Sequence, residues 1–207
     1  LSGAFITRLR MPPFIVTLGT MKIFRSVTQQ FMTGYNPTVP KEFLSIASLQ
    51  IGGQLLMPIL YWLILAIVLH IISMRTTFGR QVIAVGSNER ATKLSGVNVN
   101  KVKNRIYALM GLLVSLSAVL QVSRIGSMDY ANAGSGYEMD AISAVIVGGT
   151  RMSGGRGTIL GTVLGTLIIA VMNNLLNLVG VPPFLREAFK GVIVIGSVLL
   201  QKKESNS

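Results

Sequence analysis

The sequence predicts an all-α membrane protein: a single transmembrane domain over residues 1–207, built as a helix bundle with about six membrane segments, one of them broken or re-entrant. Half of the 207 residues are hydrophobic, 13% are charged, and the mean hydropathy is +0.60. Soluble domains carry nearer ~25% charged residues. The cations cluster in alternate loops between apolar runs, which is typical of a multi-pass protein with basic loops in the cytoplasm.

The composition and the motifs argue against several other classes. The net charge of +12 could indicate nucleic-acid binding, but the cations follow the loops with few aromatic neighbours, so we expect no nucleic-acid partner. Without cysteine, a His-Glu-x-x-His sequence or a serine–histidine–acid arrangement, we expect no metal site and no catalytic residues. Gly149 and Gly154 have phosphate-loop spacing, but Gly155 and Arg156 follow where lysine and a hydroxyl residue are needed. We therefore expect a conduit rather than an enzyme, with no cofactor bound by this chain.

The first third of the chain predicts one weak span. Residues 1–12 carry two arginines and no acid, which places them in the cytoplasm. The pair Pro12–Pro13 can start a helix, because proline is tolerated in the first turn. The apolar run over residues 14–33 follows, but Lys22 and Arg25 interrupt it, and charges at mid-depth are costly. This helix is therefore packed inside a bundle or crosses only in part.

The next two predicted segments are an external loop and a membrane span that ends in the cytoplasm. Residues 34–53 are polar and electrically neutral, as expected of an external segment, and residues 43–50 predict a short surface helix. Residues 54–74 form the best span, since ~20 apolar residues cross the hydrocarbon. His70 is the single histidine, so we expect a packed or interfacial residue rather than a metal ligand.

The second half predicts a broken element between two full spans. Residues 106–125 cross outward, and residues 126–137 carry one acid and no base. The helix predicted over 138–147 is only about 15 Å long, too short to span alone. The glycine-rich, doubly basic run 148–157 follows on the inner side, and such backbone is tolerated at depth only inside protein or beside a cavity.

The last spans carry a glycine repeat and three asparagines. Residues 158–179 form a clear span, residues 189–200 form the last crossing, and Lys202 and Lys203 end it in the cytoplasm. Glycines four residues apart let another helix approach closely. We expect helix packing at the glycines and a translocation path at the asparagines: Gly157, Gly161 and Gly165, then Asn173, Asn174 and Asn177.

The loop over residues 75–105 is the most basic part of the chain. It carries seven cations and one acid, a net charge of +6, against −1 for residues 126–137. Its sequence predicts one ordered element, a capped helix near Glu89 to Ser95 whose apolar face would be Ala91 and Leu94. A plain connector that only sets topology is the alternative, but capping exceeds what topology needs. The predicted docking residues are Ser87 or Asn88 as the N-cap, Glu89, Arg90, Ala91, Lys93 and Leu94, with Gly96 ending the helix.

Four stretches in order resemble the membrane permeases of bacterial ABC sugar importers of the ribose, xylose and galactoside type. Together they extend over essentially the whole chain, and their order is more specific than any one of them. They are PFIVTLGT at Pro13–Thr20; TFGR, AVGSNE and LSGV within Thr77–Val97; GYEMDAI, GGT and GG within Gly136–Gly155; and GT, Gly161, Gly165 and NNLL within Gly157–Leu176.

The resemblance implies a set of partners and a coupling helix. It implies two cytoplasmic ATPase subunits, a second permease subunit in a homodimer or in a pair of different subunits, a periplasmic or surface sugar-binding protein, and membrane lipid. It places the coupling helix, which docks into the ATPase, between Ser87 and Gly96. Permeases of this family have further membrane segments before the region that starts at Leu1, so the resemblance implies an N-terminally truncated permease.

Two other functions stay open on the sequence alone. An ion-coupled secondary transporter with broken helices would need a coupling-ion site, usually with a buried carboxylate, and the clear spans contain no acid. A membrane scaffold without transport would explain the helices but not the capped loop helix. Co-purification with an ATPase distinguishes the importer from both.

Overall fold

The computed structural model is almost entirely helical in the part of the chain that it describes. This part comprises residues 1–32, 38–48, 50–51, 55–130, 132–182, 185–186, 188–193, 195–196 and 199. The helices are α1 (Ser2–Arg8), α2 (Pro13–Phe31), α3 (Lys41–Ser48), α4 (Met57–Arg75), α5 (Thr77–Ser87), α6 (Glu89–Leu94), α7 (Val99–Ile125), α8 (Tyr137–Val147) and α9 (Ile159–Leu178). The all-α class is confirmed, since the one further element in the described residues is a two-residue antiparallel ladder between β1 (Gln50–Ile51) and β2 (Leu55–Leu56).

Three of these helices are long and apolar enough to cross a membrane: α4, α7 and α9. They correspond to the predicted spans 54–74, 106–125 and 158–179. The second of these predictions was a crossing over residues 106–125; the helix itself begins at Val99, because the Asn98 side chain accepts a hydrogen bond from the Lys101 backbone N–H. A 27-residue helix is about 40 Å long, which exceeds a ~30 Å hydrocarbon core.

The first predicted span is a helix, α2, which begins at Pro13 as its prolines predict. It is not one of the three membrane-span candidates. The Arg25 guanidinium donates a hydrogen bond to the Ala133 carbonyl oxygen at 3.4 Å, so its charge meets a polar backbone group of the loop between α7 and α8. That α2 is packed inside a bundle or crosses the membrane only in part stays a prediction.

The first compact unit comprises residues 1–64 and 98–133, and α3 packs in it against the end of α7. The buried Ser123 hydroxyl donates to the Phe43 carbonyl oxygen at 2.7 Å and accepts from the Ala47 backbone N–H at 3.0 Å. The Val39 backbone N–H also donates to the Gly126 carbonyl oxygen at 3.1 Å. The two segments predicted to be external, 34–53 and 126–137, are therefore in contact, and the predicted surface helix 43–50 is α3.

At the other end of this unit, α1 packs against the start of α7. The Thr7 hydroxyl lies 3.3 Å from Asn104 Oδ1, and a Cβ at Gly3 would lie 2.8 Å from the same oxygen. The sequence analysis assigned no helix to residues 1–12. Because the helix is only seven residues long, its packing against α7 rather than its own sequence defines it.

The second compact unit comprises residues 65–97 and 134–207. In it, α5 follows α4 after one residue, Thr76, whose hydroxyl accepts a hydrogen bond from the Gly79 backbone N–H at 3.2 Å. A Cβ at Gly79 would collide with the Ser73 carbonyl oxygen, so the corner requires glycine. The prediction that α6 would be the single ordered element of the 75–105 loop was wrong, because α5 is helical as well.

Some predictions fall partly or wholly outside the described residues. The last crossing was predicted over 189–200, and residues 189–193 within it are helical. Residues 34–37, 49 and 52–53 of the predicted external segment lie outside the described part, as do Lys202 and Lys203.

Candidate functional site

The basic loop contains the short helix that its sequence predicts. In α6 the Asn88 side chain accepts a hydrogen bond from the Ala91 backbone N–H at 3.0 Å. Asn88 is therefore the N-cap, and Ser87 is the last residue of α5. Gly96 has a φ of 82°, a left-handed conformation that suits glycine just after a helix.

One side of α6 faces the protein and the other faces outward. Thr92 is buried, and its hydroxyl donates to the Asn88 carbonyl oxygen at 2.8 Å, so its polar atom is satisfied. Ala91 is exposed, and Leu94 is 89% exposed. Glu89, Arg90 and Lys93 are also exposed around this face. The helix is thus held on its inner side while it presents a large apolar side chain outward.

Ser87 also brings α6 close to the glycine-rich turn after α8. A Cβ at Gly155 would lie 2.9 Å from the Ser87 Cα atom, so the two backbones nearly touch. The sequence analysis placed both segments on the cytoplasmic side but did not predict that they meet. No sequence signal identified the pairing, because glycines in a loop also serve ordinary turns.

α8 and α9 pack together through small residues. A Cβ at Gly161 would collide with the Gly148 carbonyl oxygen, and one at Gly165 would collide with the Ala144 carbonyl oxygen. Gly157 lies outside this contact, because a Cβ there would meet a threonine side chain of the preceding turn at 2.9 Å. The structure therefore places two of the three predicted packing glycines at one close helix–helix contact.

The three asparagines of α9 differ in their surroundings. Asn173 lies four residues after the buried Ile169 and is half-buried, whereas Asn174 and Asn177 are exposed. Within the described residues, the Asn173 Oδ1 atom is buried and has no hydrogen-bond partner. That the three asparagines line a translocation path stays a prediction.

A further polar contact in this unit was missed by the sequence analysis. The Lys190 ammonium group lies 2.7 Å from a carboxylate oxygen of Asp140 in α8. The two side chains are 11% and 32% exposed, respectively. A lysine inside the last apolar segment was the available signal, because an ionisable residue in such a segment needs a partner.

Removing one member of this ion pair should destabilise the protein. We expect Lys190→Met to cost about 1.5–3 kcal/mol, the range for hydrogen bonds to charged groups, because Asp140 keeps its charge without this partner. The midpoint of thermal unfolding in detergent measures the loss. The double variant Asp140→Asn/Lys190→Met should recover part of it, and a double variant as unstable as the sum of both single variants would contradict the pairing.

The comparisons with known proteins agree with the predicted resemblance. The sequence profile of the family described as "Branched-chain amino acid transport system / permease component" matches residues 1–198. The chain is 42% identical over 211 residues to the ribose import permease protein RbsC of Bacillus subtilis, and this match covers 99% of this chain and 64% of that protein. It is 40% identical over 209 residues to the ribose import permease protein RbsC of Escherichia coli K12, covering 98% and 64%.

A third relative has a different printed substrate. The galactose/methyl galactoside import permease protein MglC of Escherichia coli K12 is 36% identical over 211 residues, covering 97% of this chain and 61% of that protein. The chain thus spans less than two thirds of the length of these relatives. No solved structure matches it significantly. On the match over residues 1–198, with three helices of membrane-spanning length, the chain is a multi-pass membrane protein that belongs to the family of branched-chain amino acid transport system permease components.

Proposed function

We propose that this chain is part of the transmembrane subunit of an ATP-binding-cassette importer, which moves a ribose-like monosaccharide across the bacterial cytoplasmic membrane. The family description names branched-chain amino acids, but the three relatives described above are named for ribose and galactosides. This difference favours a sugar. Selection among sugars is then made mainly by a separate binding protein.

The observation that carries the proposal is the outward face of α6. Leu94 is 89% exposed, and its helix is not one of the three that are long enough to cross a membrane, so a protein partner rather than lipid is the molecule that could cover it. Its helix is capped at Asn88 and anchored by the buried Thr92, so the face is presented in a fixed conformation. These features fit a coupling helix that docks into an ATPase, with Leu94 as the anchor.

The proposal includes a defined set of partners. ATPase subunits hydrolyse ATP, a periplasmic or surface protein delivers the sugar, and a second permease subunit completes a homodimer in the lipid bilayer. This chain itself binds no cofactor or metal and catalyses no reaction. An ion-coupled transporter would need a carboxylate that is available to an ion, whereas Asp140, the more buried of the two acids in α8, is paired with Lys190, which supports the ATP-driven mechanism.

The proposed topology has six membrane segments, one of which is the broken element formed by α8. Gly165 lies six residues into α9 and meets Ala144, so Tyr137 at the start of the antiparallel α8 lies about 20 Å from the start of α9. A ~30 Å hydrocarbon core is not fully crossed by that length. The preceding residues therefore enter the membrane from the outside to meet α8.

Cysteine labelling of intact cells tests this topology. We expect Ser135→Cys to react with a membrane-impermeant thiol reagent and Ser95→Cys to react only after the cells are opened, since the chain has no other cysteine and both serines are exposed. The charges of +6 and −1 on the two segments give the physical reason. Reaction of Ser95→Cys alone in intact cells would invert the proposed orientation.

The translocation path is proposed to pass α9. Asn173 is the best placed of the three asparagines to contact a sugar hydroxyl, because its buried carbonyl oxygen is free to accept a hydrogen bond. Asn174 and Asn177 would contribute from the exposed side of the same helix. Unchanged sugar uptake by an Asn173→Leu variant would show that Asn173 does not line the translocation path.

Reconstitution tests the function as a whole. The complete permease, co-expressed with its neighbouring ATPase, should co-purify with it and hydrolyse ATP faster when ribose and the secreted binding protein are added to proteoliposomes. A permease that takes up ribose on an ion gradient without ATP would support the secondary-transporter alternative. A permease that binds no ATPase and takes up no sugar would support the scaffold alternative.

A further inference from the structure

The end of α5 and the glycine-rich turn after α8 meet backbone to backbone. A Cβ at Gly86 would lie 2.7 Å from the Gly155 backbone nitrogen, and one at Gly154 would lie 2.6 Å from the Gly86 carbonyl oxygen. Gly154 and Gly155 have φ values of 90° and 76°, which side chains other than glycine rarely adopt. Two segments separated by more than sixty residues thus touch through backbone atoms and the short Ser87 side chain.

On one side, this contact is directly attached to the docking helix. The Asn88 backbone N–H donates to the Ala84 carbonyl oxygen at 3.0 Å, and the Asn88 side chain accepts from Ala91 at 3.0 Å. Asn88 therefore ends α5 and begins α6. Because Gly86 lies two residues before this shared cap, a displacement of α6 displaces Gly86 as well.

On the other side, the contact is attached to α8 by backbone hydrogen bonds. The Gly154 backbone N–H donates to the Arg151 carbonyl oxygen at 3.0 Å, and the Arg151 backbone N–H donates to the Arg156 carbonyl oxygen at 2.9 Å. The Thr150 backbone N–H donates to the Val145 carbonyl oxygen inside α8 at 3.2 Å. The turn is thus a hydrogen-bonded extension of α8, which itself packs on α9 through glycines.

We propose that the contact between Gly86–Ser87 and Gly154–Gly155 is the joint through which movement of α6 reaches the α8–α9 pair. Gly86, Gly154 and Gly155 are positioning residues for transport and touch neither sugar nor nucleotide. A contact between long side chains would absorb a small displacement by rotamer changes, whereas closely packed backbone transmits it. The inference rests on the proposed function, because it assigns the element that α6 moves once the ATPase has docked.

Gly86→Ala is the sharpest variant to test this joint. Gly86 lies inside α5, where alanine is a better helix former than glycine, so the new methyl group conflicts with the turn and not with the helix. Gly111→Ala is the matched control, because Gly111 is also helical and a Cβ there meets nothing within 4 Å. Both are built into the complete permease with its ATPase and binding protein, and D-ribose is the probe.

We expect Gly86→Ala to retain ATPase co-purification and basal ATP hydrolysis. Stimulation of hydrolysis by ribose and binding protein should fall by about fivefold or more, the lower end of typical coupling between sites, and ribose uptake should fall with it. Gly111→Ala should match the parent in all four measurements. A purely structural role would instead lower basal hydrolysis and co-purification together with stimulation.

A second pair of variants covers the case in which Gly86→Ala does not fold. Gly155→Ala and Gly149→Ala impose similar backbone strain, at φ values of 76° and 83°, but a Cβ at Gly149 meets nothing within 4 Å. Gly155→Ala alone should lose stimulation. If a folded Gly86→Ala or Gly155→Ala permease shows full stimulation of ATP hydrolysis by ribose and binding protein, this contact is not the joint. A parent that binds no ATPase overturns the proposed function itself, so the two failures are distinguishable.

Discussion

Replacing Gly165 with leucine should prevent α8 and α9 from packing and leave little assembled permease. Even a methyl group at this position collides with the Ala144 carbonyl oxygen, and a Cβ lies 2.8 Å from the Gly148 backbone nitrogen. Backbone cannot move aside as a side-chain end can, so the cost should reach the upper end of the ~1–3 kcal/mol typical of overpacking. Gly161→Leu should behave alike, because its Cβ would meet the Gly148 carbonyl oxygen.

Size-exclusion chromatography and thermal unfolding in detergent measure this effect. Gly111→Leu adds the same side chain to a membrane helix at a site with open space, so it should be retained in the membrane and elute as the parent does. Gly165→Ala should be less damaging than Gly165→Leu but worse than Gly111→Leu. Parent-like assembly and uptake by Gly165→Leu would show that the two helices do not pack as closely as described.

Replacing Leu94 with aspartate should abolish binding of the ATPase while the permease still inserts. Leu94 is 89% exposed, and exposed substitutions usually change stability by less than about 0.5 kcal/mol. A central interface residue, by contrast, costs about 2 kcal/mol or more when removed, which weakens binding by about 30-fold. Ala91→Trp should have the same effect, because it adds bulk to the face where the two proteins approach most closely.

Two neighbouring variants separate the apolar contact from charge. Lys93→Gln should weaken ATPase binding little, since exposed ion pairs contribute only about 0–1 kcal/mol. Asn100→Asp adds a carboxylate at another exposed position of the same basic loop and should leave binding intact. Co-purification and sugar-stimulated ATP hydrolysis are measured for all four. If both Leu94→Asp and Ala91→Trp bind and stimulate the ATPase normally, α6 is not the docking element.

The elements that sequence predicts well are those with local causes. Apolar runs of about twenty residues predict α4 and α9 within a few residues, because bilayer thickness sets the length. The α6 helix is predicted from its cap, because Asn88 needs only the backbone three residues ahead. Gly161 and Gly165 follow from their spacing on one helix face.

The missed features depend on residues far apart in the chain. The Asp140–Lys190 pair and the contact of Gly86 with Gly155 join segments whose order along the sequence says nothing of their proximity. α1 is likewise defined by its packing on α7. A pattern of hydrophobicity or capping records one element at a time, so it cannot show which two elements share a contact.

The short length of α8 affects the order in which the helices can enter the membrane. The ribosome releases α8 before α9, but an 11-residue helix is too short to leave the translocation channel for lipid as a span of its own. Its surface for Gly161 and Gly165 also has no partner until those residues are synthesised. On the proposed topology, we therefore expect α8 to enter the bilayer only when α9 is present, and a nascent chain that stops between residues 150 and 157 should leave α8 outside the bilayer.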